Sequence, residues 1–70
     1  MANTVGHSPV GTIGRVTVPI PAGGPGEVLV PIRGGFEAFA AWADVPVAKH
    51  ERVLVLSLSS ARSVVVTALP

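Results

Sequence analysis

Apolar and polar residues alternate along much of this chain, and glycine or proline interrupts the alternation every few positions. Between Gly11 and Ile20, Val16, Val18 and Ile20 fall on one side, with Arg15, Thr17 and Pro19 on the other. A period of two marks a strand with one buried face. Pro21-Ala22-Gly23-Gly24-Pro25-Gly26 ends that segment as a loop by composition. A second segment, Glu27 to Arg33, puts Val28, Val30 and Ile32 on one face and Glu27, Leu29, Pro31 and Arg33 on the other. Pro31 has no N–H for a ladder, which places it at an edge or a bulge. Gly34-Gly35 then supplies a hairpin turn.

In the third segment, Phe36 to Asp44, Phe36, Ala38, Ala40 and Trp42 oppose Glu37, Phe39, Ala41 and Ala43. Its alanines also suit a helix, but the preceding glycine pair offers no Ser, Thr, Asp or Asn cap, and strand is the preferred reading. Asp44 to Glu51, containing Pro46, forms a longer connection. Arg52 to Leu58 is a nearly continuous apolar strand. Ser59-Ser60-Ala61-Arg62 turns the chain into a fifth strand, Ser63 to Leu69, and the last pair reads as a hairpin.

Short strands with regular turns point to a barrel or sandwich. The expected fold is all-β, a small, partly open five-stranded Greek-key barrel of the OB type, with an SH3-like barrel as the alternative. Residues 1–10 read as a flexible leader and 11–70 as one domain. Composition agrees with sheet: 49% of the residues are hydrophobic but only 4% aromatic, so valine dominates the apolar set. Seventy residues bury only roughly 60% of their unfolded surface, and the absence of cysteine removes disulfide support and thiolate chemistry.

Charge and motifs exclude more than they propose. Net charge is +1, and Arg15, Arg33, Lys49, Arg52 and Arg62 are scattered singly, which argues against tight phosphate binding. No apolar run approaches the ~20 residues of a membrane helix, and the N-terminus lacks the regions of a signal peptide. His7 and His50 have no further ligand at metal-binding spacing. Ser57, Ser59, Ser60 and Ser63 have no histidine near them in sequence to act as base. Gly23-Gly24-Pro25-Gly26 lacks the Gly-Lys-Ser/Thr continuation of a phosphate loop, and Lys49 lacks the companions of a lipoyl or biotinyl attachment site. The residues imply no enzyme, cofactor or metal.

The informative feature is surplus apolar surface. Phe36 to Ala43 and Arg52 to Leu58 are apolar on both faces, so some of Leu29, Leu54, Leu56, Phe36 and Trp42 must point outward. Such surface marks an interaction site unless loops or the leader cover it. Phe36, Trp42, Leu29 and Arg33 are the candidate contact residues, since aromatics and arginine dominate interface hot spots.

Several of these elements together resemble the C-terminal soluble domain of the NfeD family. The similarity runs from Val5 to the end, through Val5-Gly6, Gly11-Thr12-Ile13-Gly14, Gly26-Glu27-Val28-Leu29-Val30 and Arg33-Gly34-Gly35. It continues into Phe36-Glu37-Ala38-Phe39-Ala40-Ala41, Ala43-Asp44-Val45-Pro46-Val47 and Val53-Leu54-Val55. The resemblance implies an OB-type barrel that follows membrane-spanning helices. It implies an adaptor partnering stomatin- or flotillin-type membrane scaffolds in membrane organisation or quality control, on the cytoplasmic face. Some longer relatives carry a serine-protease domain ahead of the membrane segment; these seventy residues contain none, and that activity does not transfer. The chain is therefore expected to be an excised domain or a standalone relative, with a homo-oligomer possible and membrane contact only through absent helices. A single-stranded nucleic-acid module is the other functional reading. The family places glycine in the turn before the fourth strand, where this chain has His50-Glu51.

Overall fold

The computed structural model describes residues 8–70. Five strands form there: β1 (Ile13–Val18), β2 (Gly26–Ile32), β3 (Gly35–Trp42), β4 (Arg52–Ser60) and β5 (Ser63–Ala68). They close into a barrel in the order β1-β2-β3-β5-β4, with β4 returning to β1. All neighbours are antiparallel except β3 and β5, which run parallel. That order is the expected Greek key of the OB type and not an SH3-like meander, but the ring is closed rather than partly open. The third segment is a strand, not a helix.

Valine fills the barrel because a narrow interior takes small branched side chains, one from every second residue. Val16, Val28, Val30, Val53, Val55, Val64 and Val66 are buried with Ala41, and Phe39 is the one aromatic in the core. Ile20 and Val47, from the connections before β2 and before β4, complete the core by exchanging two backbone hydrogen bonds of 2.9 Å. Gly14 lies where β1 passes close to β2: a Cβ there would come 2.9 Å from the Leu29 carbonyl oxygen.

Several local expectations shift. The first strand ends at Val18, and Val18 is exposed although it was expected on the inner face. A register shift between Val16 and Val18 opposite β2 inserts an extra residue and turns Val18 outward, opposite Glu27. The hairpin between β2 and β3 turns on Arg33-Gly34 rather than Gly34-Gly35. Both residues have positive φ, 56° and 81°, as a type I′ turn, one of the two kinds matched to strand twist, requires. Ser59 and Ser60 extend β4 instead of forming the last turn, which shrinks to Ala61-Arg62. Pro31 pairs with Phe36 beyond the end of the β1–β2 ladder at Leu29, an edge position as expected.

Part of the expected leader, residues 1–7 with His7, lies outside the described residues. Pro9 is buried, and its carbonyl accepts the Thr12 N–H at 3.0 Å. In the turn before β4, His50 adopts φ 78°, a left-handed conformation that costs an L-residue about 1–2 kcal/mol. Its side chain is exposed. His50→Gly should therefore stabilise the domain by about 0.5–1 kcal/mol after glycine's larger entropy loss is subtracted. Thermal unfolding should show a rise of roughly 2–8 °C; an unchanged or lower midpoint would mean the imidazole makes compensating contacts.

Candidate functional site

The outer barrel face over β1, β2 and β3 carries the surface that the chain's apolar surplus implies. Phe36 projects at 72% exposure, next to its cross-strand partner Pro31. Leu29 is half-buried two residues before Pro31, on the same side of β2. With Ile13, Gly14, Arg15 and Arg52 these residues line an open depression of about 180 Å³. Leu29 and Phe36 are thus brought together.

Trp42 and Arg33 are not in that depression. Trp42 sits at the other end of β3, paired with Val65 of β5 and 39% exposed. Six residue steps of strand separate it from Phe36, roughly 20 Å along the sheet. Arg33 is exposed at the tip of the β2–β3 hairpin. Of the other apolar side chains expected to point outward, Leu56 is exposed and Leu54 half-buried.

Arg15 and Arg52 are the residues that local sequence reasoning missed. They appeared scattered because they are distant in the chain, yet the β1–β4 ladder makes them direct cross-strand partners. The alternation along each strand did indicate that Arg15 faces outward. Only the closing register says what it faces. Beside them, on the adjoining part of this face, Thr17 donates its hydroxyl to the Glu27 carboxylate at 2.7 Å.

A wider, uncharged depression, about 470 Å³, lies between Pro19, Ile20, Pro21, Pro46, Val47 and Ala48. The serines of the last hairpin bond locally: Ser63 Oγ lies 2.9 Å from Ser59 Oγ and 2.6 Å from Ser60 Oγ, and Arg62 N–H donates to Ser60 Oγ. Among the described residues none of these hydroxyls bonds to a histidine. No three His, Asp or Glu side chains gather there as a metal site would need. No described helix is long and apolar enough to cross a membrane.

The barrel has a solved counterpart. It superposes on the solution structure of the soluble domain of the NfeD protein YuaF from Bacillus subtilis, with a TM-score of 0.73 and 27% sequence identity. The match covers 83% of this chain and 70% of that one. No curated protein is significantly similar in sequence. The family model for the NfeD C-terminal domain matches residues 13–67, the span from the start of β1 to the last residues of β5. A match over most of the chain, on the same barrel, shows that this chain belongs to the NfeD C-terminal domain family.

Proposed function

We propose that this barrel is a non-catalytic docking domain of an NfeD-like membrane protein, engaging a stomatin- or flotillin-type scaffold at the cytoplasmic face. The observation that carries this reading is Phe36: a large apolar side chain 72% exposed beside half-buried Leu29, on a barrel whose interior is already filled. Exposed aromatic anchors next to apolar depressions are where interface energy concentrates. Arg33 at the hairpin tip borders the same end of the barrel, and Trp42 offers a second contact at the far end of β3. Membrane attachment would come from helices outside this domain, and self-association through the same apolar surface is the competing use of it.

The test is to add a stomatin-type scaffold domain from the same source to the isotopically labelled chain and follow the amide resonances. A contiguous set of shifts from Leu29 to Phe36 supports the reading; no shifts at high concentration remove direct docking. Phe36→Ala should leave the fold intact and weaken the complex at least about tenfold, the scale of a hot-spot truncation. Trp42→Ala should also stay folded, and its effect on binding shows whether the second contact is used. One observation favours a single-stranded nucleic-acid module instead: OB barrels bind strands across their β2–β3 face, where Phe36 stands near two arginines. Oligonucleotide binding that falls steeply with salt would favour that module.

A further inference from the structure

The depression beside Phe36 is charged, whereas the wider one at Ile20 and Val47 is not, and the charge is arranged in a particular way. Val16 N–H donates to the Glu51 carbonyl at 2.9 Å. By the alternation of an antiparallel ladder, Arg15 and Arg52, one step along, form a pair without hydrogen bonds between them, the kind whose side chains stand closer. Two guanidiniums directly opposite on one face destabilise a sheet. No carboxylate lines the depression, and Glu27, on the adjoining part of the face, is engaged by Thr17. The two arginines thus hold positive charge, with no carboxylate among the lining residues, at the mouth of a small space floored by Ile13, Leu29, Pro31 and Phe36.

We propose that this depression takes an apolar segment of a partner protein through one acidic side chain, whose carboxylate lies between Arg15 and Arg52. This rests on the docking reading above and names the chemistry of the docked segment. A carboxylate satisfies planar guanidinium forks by paired, charge-assisted hydrogen bonds, and relieves the repulsion built into the β1–β4 pair. The space of about 180 Å³ suits one neighbouring apolar side chain. Residues 1–7 contain no acid, so that segment does not supply the group. An anionic membrane surface is the poorer fit, because such attraction sums over clusters of basic residues. Here Arg62 lies at the β4–β5 turn and Lys49 in the connection before β4, which leaves only Arg33, at the β2–β3 hairpin tip, to join the pair.

The probe is a panel of short synthetic peptides with a central Asp or Glu among Leu, Val and Phe, each matched by its Asn or Gln twin. Titrated into the labelled chain, the acidic members should shift the amides of Ile13, Leu29 and Arg52 and bind about tenfold tighter than their twins, the preference fading with salt. Arg15→Gln and Arg52→Gln should each abolish that preference while raising the unfolding midpoint, a gain that mere loss of structure would not produce. Equal affinity for acid and amide twins, a preference that survives both substitutions, or no binding by any member would overturn the proposal. Binding of phosphatidylglycerol vesicles without any peptide preference would overturn it in favour of a membrane surface. A scaffold domain that shifts resonances only elsewhere on the barrel would remove this site while leaving the docking reading intact. Acidic peptides that bind where the scaffold does not would support the site and remove the scaffold as its partner.

Discussion

Phe39→Ala should remove a large share of the barrel's stability. Phe39 is 4% exposed and is the one aromatic side chain in a core otherwise made of valine, isoleucine and alanine. Truncating a buried phenylalanine costs about 3–5 kcal/mol, because the lost burial and the cavity left behind add together. A domain of this length has a total stability of about 4–10 kcal/mol, so the loss is about a third of it or more. The matched control is Phe36→Ala, three residues earlier and on the opposite face, where exposure limits the cost to about 0.5 kcal/mol. Urea unfolding followed by Trp42 fluorescence separates the two. If Phe36→Ala unfolded the chain and Phe39→Ala did not, β3 would be paired one residue out of register, which exchanges its faces.

Gly26→Ala should be nearly as damaging, for a reason unrelated to hydrophobicity. Gly26 begins β2 where the chain has just returned from β1, and a Cβ there would sit 2.5 Å from the carbonyl oxygens of Val18 and Pro19 and 2.7 Å from Ile20 Cγ1. Two of those three atoms belong to the backbone and cannot swing aside as a side-chain end would. Relief requires β1 and β2 to part beside the register shift, at a cost of about 3 kcal/mol or more, the upper range for overpacking. Gly35→Ala provides the contrast, since its nearest neighbour is the Ile32 carbonyl oxygen at 3.9 Å. Its urea midpoint should stay close to that of the parent while that of Gly26→Ala collapses. Equal midpoints for the two would mean that the β1–β2 connection lies further from Gly26 than described.

Both expectations bear on function, because the same two strands carry the candidate docking face. Leu29 and Pro31 face outward only because Val28 and Val30 are committed inward, and Phe36 is displayed because Phe39 anchors β3 from within. A variant that loosens β1 from β2 would disperse Arg15, Leu29 and Phe36 together. Binding measurements on surface variants are therefore informative only where the core and Gly26 are intact.

Much of this was legible in the chain itself. Alternation determined which of Val28, Val30, Phe39 and Ala41 could share an interior, since a strand has only two faces and one must be dry. Glycine or proline marked the connections before β2, β3 and β4, and serines the last; the β2–β3 turn moved one residue, to Arg33-Gly34, where both φ values are positive. Surplus apolar residues on β3 and β4 required exposed side chains, whereas the left-handed backbone at His50 was not foreseen from its residue type. Tertiary structure decided the rest. The reversal of Val18 follows from an extra residue in a ladder, the burial of Val47 from a two-bond bridge to Ile20, and the meeting of Arg15 with Arg52 from the strand that closes the barrel. Each depends on the register between segments far apart in sequence. Local periodicity says which way a side chain faces along its own strand, but the neighbour it meets across the sheet is set by closure of the whole barrel.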